Sequence, residues 1–224
     1  MFASCLKHRF YGSLTAGAEL DVPILLVRKG FSRLSDRLGR VAVNSANDSN
    51  QLAIPVGQRD HIQGGETAVI TLVEYGSYAC PNCAAAQTVI QQLQQQLGEQ
   101  LRIVFRHFPQ VNLYPEAQHA SEAAEAAAAQ GKFWQMHDYL LTHQHALNNG
   151  NLVKYALTIG LDVNHFLHQM RRDVHLERVH EDIASGIQSG VSRTPTFFIN
   201  GIRLNGEWNP ETLKSEISKV FLQG

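Results

Sequence analysis

Cysteine is scarce in this chain: three residues, Cys5, Cys80 and Cys83, in a sequence of 224. A disulfide scaffold needs more of them, paired over longer separations, so that class is excluded. Charge is also sparse and balanced, with 17% charged residues and a formal net charge of −1. No basic excess argues for nucleic acid as a partner. Long apolar runs are missing as well. No stretch approaches the roughly 20 residues a membrane helix requires, so stable membrane insertion is not expected. The first residues do not form a secretory leader. Lys7 and Arg9 could mimic its charged start, but Phe10 to Glu19 lacks an apolar centre, and Pro23 to Val27 is too short. On that ground the compartment is left open, with cytoplasm favoured over periplasm.

What remains is an ordinary soluble composition with one unusual feature. Two of the cysteines stand three apart, Cys80-Pro81-Asn82-Cys83, directly after an apolar run from Val69 to Val73. β-Branched residues in that run suit a strand covered on both faces. Pro81 fits the first turn of a helix, where its missing N–H costs nothing. Val89, Ile90, Leu93 and Leu97 continue at helical spacing, and Gly98 is expected to close the helix in a left-handed cap. Cys80 therefore falls at a helix N-terminus, where unpaired N–H groups and the positive end of the dipole lower a thiol pKa. Cys83, one turn further in, can take over the bond Cys80 forms. The pair can exchange a disulfide with another protein.

Leu101 to Phe105 reads as the next strand, which makes a β-α-β unit with a parallel pair. The glutamines between Gln91 and Gln96 read as the solvated face of its helix. Beyond Pro109 the pattern turns helical. Pro115 opens an alanine-rich helix that stops near Gly131, and helices follow around Phe133–Leu141, Leu152–Ile159, Phe166–Met170 (capped by Asp162) and Val174–Ile187. Thr196 to Ile199 is again strand-like, Asn200-Gly201 is a strong hairpin signal, and Pro210 opens a last helix. The expected fold is α/β, a thioredoxin fold with a helical insertion at about 112–190 between the β-α-β and β-β-α halves. Residues 1–58 read as an N-terminal extension of unknown structure, and 59–224 as the domain. Within the extension, Val22–Val27 is a possible strand, Phe31 to Val41 a possible amphipathic helix, and Cys5 a bystander.

Glu74, the two cysteines and the distant Arg193-Thr194-Pro195-Thr196 segment together resemble the DsbA-like branch of the thioredoxin superfamily, across roughly residues 59–222. The resemblance implies a thiol–disulfide oxidoreductase without cofactor or metal. Its partners would be protein thiols and disulfides, and a recycling protein, either a reductase or a membrane oxidase. It implies that Cys80 is the exposed nucleophile and Cys83 the buried resolving thiol. Pro195 would be a cis-proline facing the disulfide, and the Thr194 backbone would pair with an extended substrate. Glu74 would be a buried acid relaying the proton of Cys83. Duller readings stand beside these. The cysteines could be half a zinc site, Glu74 could face solvent, and Pro195 could be an ordinary trans turn residue. Phe133, Trp134 and Met136 read as core before groove, and His143/His145 and His165/His168 as exposed pairs. A different class also remains open: a thioredoxin-like peptide-binding or redox-sensing module without turnover.

Overall fold

A computed structural model of the chain describes residues 50–206 and 208–223. The readings for Cys5, Val22–Val27 and Phe31–Val41 lie outside the described residues. The strands are β1 (His61–Gly64), β2 (Ile70–Gly76), β3 (Leu101–His107), β4 (Thr196–Ile199) and β5 (Ile202–Arg203). The α-helices are α1 (Pro81–Leu97), α2 (Ala117–Ala128), α3 (Phe133–Thr142), α4 (Asn149–Thr158), α5 (Val163–Met170), α6 (Leu176–Gln188) and α7 (Pro210–Gln223). This is the thioredoxin order, β2-α1-β3 and β4-β5-α7, with α2 to α6 inserted between the halves.

The sheet runs β1-β3-β2-β4-β5. β2 lies at its centre, parallel to β3 and antiparallel to β4. Alternation along β2 divides its side chains between two cores. Ile70 and Leu72 pack with Val89, Ile90 and Leu93 of α1 and with Leu213 and Ile217 of α7. Val73 and Tyr75 pack on the other side with Val104, Val191 and Phe198. Glu74 shares the parity of Leu72, so the pleat turns it toward α1. The inserted helices form a third core around Phe105, Phe133, Met136 and Leu140, and that core also holds Tyr78, Cys80 and Cys83. Alanines make this close packing possible: Ala117, Ala120, Ala123, Ala124, Ala126 and Ala127 of α2 are all fully buried.

Several local details depart from expectation. β1 was not foreseen; it is an edge strand, antiparallel to β3, with only one apolar residue, Ile62, among its four. Gly98 has φ 50° but ψ −126°, which is not the left-handed helical cap. The chain instead turns through a short 3₁₀ segment, Gly98–Gln100, before β3. Asn148 caps α4 by accepting from Asn151 N at 3.1 Å, as Asp162 caps α5 by accepting from His165 N at 3.1 Å. Residues 50–57 also join the fold. Leu52 N donates to Gly201 O (2.8 Å) and Arg203 N to Asn50 O (2.7 Å). Arg106 donates to the Ile54 and Pro55 carbonyls while pairing with Asp60 at 2.7 Å. No helix among the described residues is long and apolar enough to cross a membrane.

One close approach makes a test of this packing. A Cβ at Gly186 of α6 would stand 2.8 Å from the Phe108 ring and 3.1 Å from Tyr75. Overpacking of this kind costs about 1–3 kcal/mol. Gly186→Ala should lower the urea midpoint accordingly; an unchanged midpoint would show that α6 does not press on Phe108.

Candidate active site

Gly76 ends β2 where a side chain could not fit: its Cβ would lie 2.4 Å from the Phe105 ring. The backbone then turns through Ser77, Tyr78 and Ala79, and Cys80 N donates back to Ser77 O at 3.1 Å. Cys80 is the N-cap of α1, with extended geometry (φ −87°, ψ 117°), and Pro81 occupies the first turn. No acidic residue occupies that turn, so nothing there offsets the positive helix end.

The two cysteines are free thiols in different surroundings. Cys83 has no exposed surface, and Ser77 N donates to its sulfur at 3.4 Å. Cys80 is less open than an exposed nucleophile should be, at 5% exposure. The segment ahead of β4 covers it, and its thiol donates to the Thr194 carbonyl at 3.3 Å. The Thr194–Pro195 peptide bond is cis. Cys80, Cys83, Thr194 and Pro195 are thus gathered at one place although 114 residues separate Cys80 from Thr194.

Electrostatics separate the two sulfurs. A hydrogen bond from Cys83 lowers the Cys80 pKa to about 6; burial opposes the shift, while the Thr194 side chain and the backbone N–H groups of Cys83 and Asn82 assist it. Burial pushes the Cys83 thiol well above the ordinary range, and its bond to Cys80 and the nearby Glu74 charge push it the same way. Glu74 is also buried, with 1% exposure. Burial lifts its carboxyl pKa to about 8, against a hydrogen bond with Cys83 that lowers it. Its Oε1 has no hydrogen-bond partner. At neutral pH the thiolate forms on Cys80, while Cys83 and Glu74 keep their protons.

Beside Thr194 and Pro195 lies a cavity of about 420 Å3, bordered by Asn82, Arg203, Leu204 and Trp208. Phe133 and Met136 are core residues, and half-buried Trp134 donates to Ile62 O at 3.3 Å, so none of the three lines this groove. His145, His165 and His168 are exposed, whereas His143 stacks on Tyr139 with ring centroids 4.3 Å apart.

Sequence reasoning passed over three contacts. Gln144 reaches from the loop after α3 to the backbone beside Cys80. Tyr78 Oη bonds His137 Nδ1 at 3.2 Å. His61 and His107 both bond Glu125 Oε1, at 2.8 and 2.9 Å. Burial would raise the Glu125 carboxyl, but the two histidines outweigh it and hold it well below the usual range. The groups of three or more metal-ligating side chains among the described residues, His61/His107/Glu125 and His119/Glu122/Asp173, contain neither cysteine.

The thioredoxin family model matches residues 57–219. The chain belongs to the thioredoxin family. Solved structures share its fold. BdbD from Bacillus subtilis superposes with a TM-score of 0.69 at 20% identity, covering 79% of this chain and 98% of that one. A thioredoxin-like oxidoreductase from Silicibacter pomeroyi gives 0.65 at 24% identity, covering 79% and 98%. Among curated relatives, Na(+)/H(+) antiporter NhaA 3 of Salinispora tropica is 37% identical over 212 residues, 94% of this chain but 32% of the antiporter. The chain therefore spans about a third of that relative's length.

Proposed function

We propose that this thioredoxin-family chain is a protein thiol–disulfide oxidoreductase in which Cys80 forms the mixed disulfide and Cys83 resolves it. One observation carries the assignment: the ionisable sulfur at the head of α1 sits against the Thr194–Pro195 backbone while its neighbour is buried and protonated. In the oxidised protein a substrate thiolate attacks Cys80 Sγ and the Cys80–Cys83 bond breaks. Cys83 leaves as a thiolate and takes the Glu74 proton. A second substrate thiolate then attacks its own sulfur in the mixed disulfide, and Cys80 departs as a stabilised thiolate. The substrate loses two electrons and the protein gains them. In reverse, Cys80 attacks a substrate disulfide and releases one substrate thiolate; Glu74, having given its proton to water, takes the Cys83 proton, and the Cys83 thiolate attacks Cys80 Sγ and releases the other. Thr194 and Pro195 hold the substrate strand.

Stabilising the Cys80 thiolate stabilises the dithiol and so makes the couple more oxidising. The membrane antiporters among the relatives favour a setting beside a membrane, and the recycling partner would be a reductase or a membrane oxidase. They lend no support to the cytoplasmic placement favoured from the sequence. The test is the ultraviolet absorbance of the Cys80 thiolate against pH, with reduction potential read against glutathione. A midpoint near 6 is expected. One near the ordinary ~8.5 would leave a binding or sensing module in place of a catalyst.

A further inference from the structure

The turn that presents Cys80 has few supports of its own. β2 has ended and α1 has not begun, so the Tyr78 carbonyl needs a partner from elsewhere. Cys80 O receives the first-turn N–H groups of Cys83 and Ala84 at 3.0 and 3.4 Å. Further support comes from the inserted helical block. Gln144 Nε2 donates to Tyr78 O and to Cys80 O, both at 2.8 Å, across 66 and 64 residues of chain. Both partners are carbonyls, so only the NH2 end of the side chain fits, and its two hydrogens meet two acceptors. From the same stretch of chain, His137 holds the Tyr78 hydroxyl.

We propose that Gln144 is a positioning residue for disulfide exchange: its amide clamps the Tyr78–Cys80 turn from the helical insertion and so fixes where the Cys80 sulfur stands. The inference rests on the oxidoreductase reading above. The N–H groups of Asn82 and Cys83 help to hold the Cys80 thiol pKa low, and their placement depends on residue 80 keeping its extended N-cap geometry. Without the clamp Tyr78 O loses its Gln144 donor and Cys80 O keeps only its two helical ones, so the turn relaxes and the helix-end N–H groups lose their aim. Gln144 itself is half-buried at the edge of a cavity of about 400 Å3 bordered by Ala79, Pro81 and Leu147. Its replacement therefore leaves the core intact.

The thiolate titration of Cys80 tests this in the full chain with two variants. Gln144→Leu keeps bulk and removes the donor. Gln144→Glu keeps the shape and, ionised, turns an acceptor toward two acceptors. Both should raise the titration midpoint by about one unit, with the melting temperature within a few degrees of wild type. A midpoint unmoved in both overturns the proposal. So does a shift in only one, since leucine alone would mark packing and glutamate alone a new charge. Failure of Gln144→Leu to fold would mark the contact as structural and also overturn it. Because wild type is titrated alongside, a wild-type midpoint at the ordinary thiol value sinks the oxidoreductase reading, whereas one near 6 with unmoved variants sinks only the role of Gln144.

Discussion

Cys83→Ala should convert the protein from a catalyst into a trap. Cys80 is the sulfur that ionises and lies against Thr194, so it still attacks a substrate disulfide and forms the intermolecular bond. The thiol that would break that bond is gone. An intramolecular thiol placed one helical turn away acts at an effective concentration of about 10⁵ M or more, whereas external thiols reach only millimolar levels. Resolution should therefore slow by at least about a thousandfold, and adducts sensitive to dithiothreitol should accumulate on non-reducing gels. Cys80→Ser should show neither turnover nor adducts, because Cys83 is wholly enclosed and its thiol is held protonated. Insulin reduction by the two variants separates the outcomes. Turnover near wild type in Cys83→Ala, or adducts forming in Cys80→Ser, would reverse the roles assigned to the two sulfurs.

The parts of this site legible in the sequence are those with local causes. The β2-α1 junction could be read because its strand residues, Pro81 and the helical spacing that follows all act within a few residues. The hairpin at Asn200-Gly201 could be read for the same reason, and Asn200 does take a positive φ of 48°. The resemblance joined Thr194 and Pro195 to the cysteines, which no spacing could do. What escaped reading depends on tertiary contact. β1 is a strand because the edge of β3 offers it partners, not because its four residues favour extension. Gln144 in an ordinary polar loop carries no mark of reaching Tyr78 and Cys80. Cys80 was expected to be open, yet the chain ahead of β4 lies across it, an effect of folding two distant segments together. Glu74 is intermediate: alternation along β2 turns it toward α1, but its burial depends on residues brought in from β3, β4 and α1, Phe105, Phe197 and Cys83.

Glu74→Gln carries the second large effect, and its sign follows from the direction of the carboxyl shift. The folded-state pKa, about 8, lies above the ordinary 4.5. The folded protein therefore holds this proton more tightly than the unfolded chain does. That contribution to stability is fully present below about 4.5 and is lost as pH rises through about 8. At pH 7 the wild-type protein has lost most of it, a handicap on the order of 3 kcal/mol that glutamine does not carry. Reduced Glu74→Gln should thus be more stable than reduced wild type at neutral pH, with the gap opening between about 4.5 and 8 and closing in acid. The Cys80 shift runs the other way, since its lowered pKa adds stability as pH rises above about 6. Only the difference between variant and wild type isolates the carboxyl. Stability gained should be matched by chemistry lost. With no proton to exchange at residue 74, the steps in which Cys83 gives or takes a proton should slow by about 10²-fold, and the pH profile should lose its inflection near 8. Urea unfolding at a series of pH values, with stopped-flow exchange on the same samples, measures both. A gap that stays constant across that range would mean that Glu74 does not hold a proton in the folded state, and the relay from Cys83 would have no carrier.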